Sequence, residues 1–200
     1  MTKGEQALSK SGNLEIEVKL KIANLNEMRR LVLSLGLEEK VNRAFEENWI
    51  LDFPQKRLRQ RGCLLRLRHY NGRSYVTFKS PSTQASNLKI RKELETEVSD
   101  HAILFQILQS LGLVQIFRYQ KYRSIFEPKS PRSRARVILT LDETPIGNYM
   151  EIEGPPKHIE KIASQLGFSK KEFIKESYLA LFARIHNSSL PGEMVFPPDK

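Results

Sequence analysis

One cysteine in 200 residues, Cys63, has no partner for an internal disulfide, which excludes a disulfide-stapled scaffold and fits a reducing cytoplasm. No His or Asn stands at a telling spacing from it, so a structural role is expected for this thiol. Long apolar runs are missing as well. No segment reaches the roughly 18 to 20 apolar residues of a membrane helix, and the opening MTKGEQALSKSGN lacks the apolar stretch of a secretory signal. Residues 1–13 read as a disordered leader and the proline-bearing end, 186–200, as a disordered tail. Between them, 14–185 carries the apolar content of one globular domain.

Negative charge is the minority. Lys and Arg total 33 against 23 Asp and Glu, giving a formal net charge of +10. That balance asks for an anionic partner: nucleic acid, a membrane surface or a phosphorylated small molecule. A nucleic-acid binder gathers its basic residues along one stripe with aromatics interleaved. Here the bases are spread through candidate strands that also carry carboxylates, which weakens the nucleic-acid reading without removing it.

Three segments repeat one pattern of acid-bearing strand, amphipathic helix and glycine stop. The first runs from Glu15–Ile22 through a helix at 26–35 to SLGL; the second from Arg91–Val98 through a helix from Asp100 to SLGL; the third from Met150–Gly154 through a helix from Pro156 to QLGF. Gly36, Gly112 and Gly167 each stand where a helix takes a left-handed closing residue. Ser169 and Glu172 match a capping box, so a fourth helix is expected over 169–185. Further strands are expected at 45–52, 64–70, 74–79, 119–126 and 136–142, with Asn71-Gly72 as a tight hairpin turn and polar loops at 81–87 and 128–133. Eight mostly antiparallel strands with about four helices make an α+β domain whose sheet is large enough to curl or close.

The strand faces are unusual. Glu15, Glu17, Lys19 and Lys21 share one face of the first strand, opposite Ile16, Val18, Leu20 and Ile22. Arg66 and Arg68, Lys79, then Arg91 with Glu93, Glu95 and Glu97, and finally Glu151 with Glu153 alternate with apolar residues in the same way. A solvated sheet face would carry more Thr, Ser and Gln, and exposed ion pairs stabilise it by only about 0 to 1 kcal/mol. The other solution covers the apolar faces with helices and curls the charged faces around a cavity. Two carboxylates about 5 Å apart repel by roughly 3 kcal/mol at an effective dielectric near 20, so Glu15 with Glu17 and Glu151 with Glu153 favour hard cations. Oxygen donors without a thiolate or imidazole cluster select Mg²⁺ or Mn²⁺ over Zn²⁺. The interleaved Arg and Lys suit phosphate oxygens, and metal plus bases plus enclosure point to a polyanion of several phosphates.

This order of residues resembles the CYTH family of triphosphate tunnel metalloenzymes, which groups class IV adenylyl cyclases with thiamine triphosphatases. Its ExExK hallmark appears as Glu15-Ile-Glu17-Val-Lys19. It is followed by Arg66-Leu-Arg68, Thr77-Phe-Lys79, Arg91 with Glu93 and Glu95, Lys121-Tyr-Arg123, Asp142 and Glu151-Ile-Glu153. The resemblance spans about 14–182 and implies a closed eight-stranded antiparallel β-barrel, the triphosphate tunnel, with helices packed outside. It implies that Glu15, Glu17, Glu151 and Glu153 hold one Mg²⁺ or Mn²⁺, and that Glu93 or Glu95 with Asp142 place a second. Lys79, Glu95 and Asp142 would then stand at the reacting phosphorus. Lys19, Arg66, Arg68, Lys79, Arg91, Lys121 and Arg123 would clamp the triphosphate, with Lys175 at the tunnel mouth. Such a clamp serves a triphosphatase, a cyclase converting ATP to cyclic AMP, or a non-catalytic binder of polyphosphate or RNA ends. The stretches 89–98 and 141–147 look like bacterial class IV cyclase-like sequences. Dimerisation is compatible with the family, and no sequence feature decides it. Trp49 either stacks on an organic leaving group or, as its alternation with Leu51 and Phe53 favours, anchors a helix against the barrel.

Overall fold

The computed structural model describes residues 13–83, 87–129, 137–187 and 192–198. In chain order they form β1 (Asn13–Ile22), α1 (Leu25–Ser34), β2 (Leu37–Asp52), α2 (Arg57–Gln60), β3 (Leu64–Tyr70), β4 (Arg73–Lys79) and β5 (Lys89–Val98). There follow α3 (His101–Ser110), β6 (Val114–Pro128), β7 (Ile138–Thr144), β8 (Gly147–Glu153), α4 (Pro156–Gln165), a 3₁₀ turn (Lys170–Glu172), α5 (Tyr178–Ile185) and β9 (Glu193–Met194). The strands run in the order β2-β3-β4-β5-β1-β8-β7-β6, and β2 pairs back onto β6, so eight antiparallel strands close into a barrel. Closure removes the exposed edges an open sheet would present.

The turn chemistry behaves as the sequence requires. Gly36, Gly112 and Gly167 take φ of +82°, +89° and +87° just past α1, α3 and α4, so each helix stops within a residue or two of its leucine. Asn71 and Gly72, at φ +50° and +74°, turn β3 directly into β4.

Apolar residues pack on the outside of the barrel. Val18, Leu20, Ile22, Leu139, Met150 and Ile152 face Met28 and Val32 of α1 and Ile159 and Ala163 of α4. Leu51, Leu65, Leu67 and Val76 meet Leu104, Phe105 and Leu108 of α3 on the outside, whereas Ile50 and Tyr119, which line the cavity, pack with Phe117 against Tyr178 and Leu181 of α5 at one end of the barrel. Each such aliphatic side chain contributes about 1.5–3 kcal/mol on burial. Helix coverage of one face leaves the other face of every strand to the interior.

Several boundaries differ from the sequence expectation. β2 begins at Leu37 rather than 45, because its first half continues straight out of Gly36 and pairs with β6 through register shifts between Glu39 and Ala44. β6 likewise extends over Val114–Pro128. The single helix expected over 169–185 is broken. Its capping box forms, with Ser169 N and Oγ donating to Glu172 at 2.8 and 3.0 Å, but it heads only one 3₁₀ turn. Ile174 then exchanges two backbone hydrogen bonds with Lys19 of β1, and Ser177 caps a new helix, α5. Strand pairing to the barrel replaces the helical bonds there. α2 is an additional short helix whose first amides, Leu58 N and Arg59 N, donate to the buried Asp52 carboxylate. Within the tail read as disordered, Glu193–Met194 pair in parallel with Arg118–Tyr119, and Phe196 lies against Tyr122. Leader residues 1–12, loop residues 84–86 and 130–136, and tail residues 188–191 and 199–200 lie outside the described residues.

Candidate functional site

Alternation turns the charged face of each strand inward. A cavity of about 1060 Å³ runs through the barrel, lined among others by Glu15, Glu17, Lys19, Arg66, Arg68, Lys79, Lys89, Arg91, Glu93, Glu95, Lys121, Arg123, Glu151 and Glu153. At one end Leu179 of α5 packs with Ile50 and Leu64. The other end is rimmed by Lys40 and by Asn71 and Arg73 of the β3–β4 turn.

Two acids lie beneath the lining and fix the bases above them. Asp142 on β7 is fully buried and accepts from Lys121 Nζ (3.0 Å), Arg123 Nε and Nη2 (2.7 and 2.6 Å) and Tyr178 Oη (2.8 Å). Glu46 on β2, also fully buried, stands 3.3 Å from Lys121, 3.9 Å from Arg68 and 4.0 Å from Arg123. Burial pushes the Glu46 carboxyl up, but the Lys121, Arg123 and Arg68 cations outweigh it and hold it well below the usual carboxylate range. Glu95 plays the same part on β5, accepting from Arg68 Nη2 (2.8 Å), Arg66 Nη2 (3.4 Å) and Thr77 Oγ1 (2.6 Å). Glu151 joins Lys19 (2.6 Å) to Arg123 (2.5 Å). Lys19 of β1, Arg66 and Arg68 of β3, and Lys121 and Arg123 of β6 are thereby held in place by acids on four other strands.

A second group is acid-rich. Lys79 Nζ lies 2.9 Å from both oxygens of Glu15 and 2.7 Å from Glu93, and Lys89 lies 2.5 Å from Glu17. Burial lifts Glu15 to about 8; Lys79 opposes the rise, and Glu17 and Glu93 add to it. Glu93, despite burial, is held at about 2 by Lys79 and Arg66. Glu17, despite burial, is held at about 2 by Lys89. Glu153 makes no ion pair among the described residues and is lifted to about 7 by burial and by Glu17. Two carboxyls raised this far mark an excess of buried negative charge, and the donors are all oxygen, which fits a hard divalent cation. Among the described residues no three acids are yet gathered at ligating distance around one point.

The expected residues therefore divide. Glu15, Glu17, Glu93 and Glu153 line the acid-rich part of the cavity, the first three against Lys79 or Lys89. Glu151, Glu95 and Asp142, expected as metal ligands with the latter two catalytic, are occupied by bases and hydroxyls; Asp142 does not reach the lining at all. Arg91 lines the cavity, but its guanidinium donates to the Ser80 and Gly62 carbonyls at 3.0 and 3.1 Å. Lys175 is exposed and outside the lining, because the broken helix carries it away from the tunnel. Trp49 faces outward, stacked on His101 of α3 with ring centroids 5.5 Å apart, so it anchors that helix. Sequence reasoning missed Glu46, Lys89 and Tyr178. The Tyr178 ring lies 4.4 Å below Lys19 Nζ and 5.2 Å from Lys121 Nζ. The signal for Glu46 was present in Glu46-Glu47-Asn48, where only one of the adjacent acids can face inward.

The CYTH domain profile matches residues 13–178. A Methanocaldococcus jannaschii protein, named as a proposed adenylate cyclase, is 25% identical over 179 residues, covering 84% of this chain and 98% of that protein. Among solved structures, a proposed adenylate cyclase of Vibrio parahaemolyticus is similar with a TM-score of 0.73 at 22% identity, over 86% of this chain and 99% of that one. The PH1819 protein of Pyrococcus horikoshii has a TM-score of 0.68 at 26% identity, over 86% and 99%. A Hippeastrum protein described as a proposed adenylyl cyclase with a dominant triphosphatase activity has a TM-score of 0.57 at 16% identity, over 88% and 98%.

Proposed function

The chain belongs to the CYTH domain family, and from that premise we propose that it binds a triphosphate in its tunnel and, with Mg²⁺ or Mn²⁺, hydrolyses it to diphosphate and orthophosphate. The observation that carries this reading is the set of Lys19, Arg66, Arg68, Lys121 and Arg123, aimed into one cavity and held by acids behind them. Bases fixed before the ligand arrives lose little freedom on binding and stabilise charge as it develops.

Arg66 and Arg68 offer forked donors to phosphate oxygens, and Lys19 and Lys121 offer point charges. Arg123, anchored on Asp142, meets the negative charge that grows on the bridging oxygen as the terminal P–O bond breaks. Glu15, Glu17, Glu93 and Glu153 would hold the cation, whose chemistry is neutralisation of phosphate oxygens and a more acidic water. In-line attack of water on the terminal phosphorus would then expel diphosphate, and the proton lost by the attacking water passes to the solvent.

The cyclase name carried by the Methanocaldococcus relative supports a second reading, in which the ribose 3′-hydroxyl of ATP attacks the α-phosphorus and releases pyrophosphate. Purified protein incubated with tripolyphosphate, ATP and thiamine triphosphate, each with Mg²⁺ or Mn²⁺, separates the two. Orthophosphate release supports hydrolysis, cyclic AMP with pyrophosphate supports the cyclase, and binding without either product overturns both.

A further inference from the structure

The tunnel does not account for the charge of the chain. Within and beneath its wall, inside the rim of Lys40, Arg73 and Glu127, acids equal bases in number, so the interior adds nothing to the formal net charge of +10. The surplus is carried elsewhere. Residues 53–92 hold no Asp or Glu at all, and four of their cations, Lys56, Arg57, Arg59 and Arg61, fall within six consecutive residues on and around α2. None of the four lines the cavity. Arg57, Arg59 and Arg61 are exposed, and so is Lys92 of β5. Lys92 is tied to the same turn through Ser80: Ser80 N donates to Lys92 O at 2.9 Å, and Arg91 donates to both Ser80 O and Gly62 O. Among the described residues, Lys56, Arg57, Arg61 and Lys92 form no ion pair.

The turn that bears these cations is pinned. The buried Asp52 carboxylate accepts from Phe53 N, Leu58 N and Arg59 N at 2.7, 2.8 and 2.9 Å, and Cys63 N closes the turn onto Leu58 O at 2.9 Å. A Cβ on Gly62, which takes φ +68°, would stand 3.3 Å from the Pro81 side chain, so the turn lies flush against the β4–β5 connection. Lys56 takes φ +57°, where Gly or Asn is the relaxed choice, yet the residue there is a cation. The chemistry also selects among anionic partners. A protein interface has an apolar centre, and a membrane surface is gripped by apolar side chains that insert. Between residues 53 and 63 no large apolar side chain is exposed, Phe53 and Leu58 being half-buried. Three guanidiniums offer forked donors to phosphate oxygens, and the exposed Gln55 and Gln60 add neutral donors and acceptors among them. The sequence argument against nucleic acid was that bases share strands with carboxylates. Those mixed strand faces turn into the tunnel, which leaves an unmixed basic surface outside.

We propose that α2 and its flanking turn, with Lys92, form a docking surface for the sugar–phosphate backbone of a nucleic acid, separate from the tunnel and independent of its triphosphate chemistry. The test uses the full chain and fluorescence anisotropy. The probes are a labelled RNA of about 20 nucleotides, longer than the roughly 4–16 of a single-strand site, and a DNA duplex of the same length. Both carry 5′-hydroxyl ends, so neither offers a triphosphate to the tunnel. We expect binding whose log Kobs falls with log[salt] at a slope of about −2 to −4, as about three to four neutralised phosphates give. Lys56→Asn with Arg57→Gln and Arg61→Gln should weaken binding at least about tenfold and flatten the slope by about 2. The melting temperature should stay that of wild type, and saturating tripolyphosphate should not displace the probe. Lys157→Gln with Lys161→Gln and Lys171→Gln removes the same charge from α4 and the turn after it. At about 0.1 M salt, where the Debye length is about 10 Å, that control should leave affinity within about twofold. Absence of binding to both probes, wild-type affinity in the α2 variant, an equal loss in the control, or displacement by tripolyphosphate would each overturn the proposal. Tighter binding to phosphatidylserine vesicles than to either probe would overturn it too.

Discussion

Replacing Asp142 with asparagine removes one negative charge from a buried cluster in which it accepts from Lys121, Arg123 and Tyr178. The amide keeps the shape, but its NH₂ group must face a lysine or arginine donor where the second carboxylate oxygen stood. Lys121 and Arg123 remain buried, with Glu46 and Glu151 left to balance them. Breaking one partner of a buried ion pair costs about 3–5 kcal/mol, a large part of the roughly 5–15 kcal/mol that holds a domain folded. With an m-value near 2 kcal/mol/M, the urea midpoint should fall by about 2 M. The assay is equilibrium unfolding in EDTA, followed by far-UV circular dichroism. Asp142→Asn combined with Lys121→Met should recover part of the loss, because the orphaned ammonium is gone. A loss below about 1 kcal/mol, the value of an exposed pair, would refute the anchoring role. So would a loss that appears only when divalent cation is present, since that would return Asp142 to the metal.

Arg66→Ala should weaken triphosphate binding about 10- to 100-fold in direct titration, since hydrogen bonds to a charged group contribute about 1.5–3 kcal/mol each; unchanged affinity would remove Arg66 from the clamp. Lys175→Ala should leave kcat/KM within about twofold, as expected of a surface substitution, because the residue is exposed and outside the lining; a larger fall would place it at the site. Glu15 and Glu153, raised to about 8 and about 7, bind protons in the folded chain that the unfolded chain has released above 4.5. Stability in EDTA should therefore fall as pH rises from about 5 to 8, and added Mg²⁺ should reduce the fall. Glu17 and Glu93, lowered to about 2, produce a separate loss as pH drops below 4.5; a melting temperature that rises steadily from pH 5 to 8 in EDTA would contradict the raised pair.

Period-two alternation made most of the tunnel legible, because a closed barrel translates sequence parity directly into inside and outside. Glu15, Glu17, Lys19, Arg66, Arg68, Lys79, Glu93, Lys121 and Arg123 all line the cavity on that logic. Parity cannot say which acid is tied to a neighbouring base, as Glu95 and Asp142 are. Their contacts with Arg66, Arg68, Lys121 and Arg123 come from cross-strand register, which a single sequence does not reveal. Glu46 was hidden by Glu47 beside it, whose side chain turns outward to Arg118 at 2.5 Å. Tyr178 was lost when a genuine capping box at Ser169 was extended into one long helix; nothing local announces that Ile174 will pair with Lys19. β9 is only two residues long, too short to carry any periodicity.

Orthophosphate release from a triphosphate, measured with Mg²⁺ or Mn²⁺ and again in EDTA for wild type, Glu15→Gln and Glu153→Gln, reaches the central claim most directly. Turnover should require the cation and should fall by about two orders of magnitude or more in each variant, with circular dichroism unchanged. Full activity in EDTA, or wild-type rates in both variants, would contradict the proposed role of the acid-rich set.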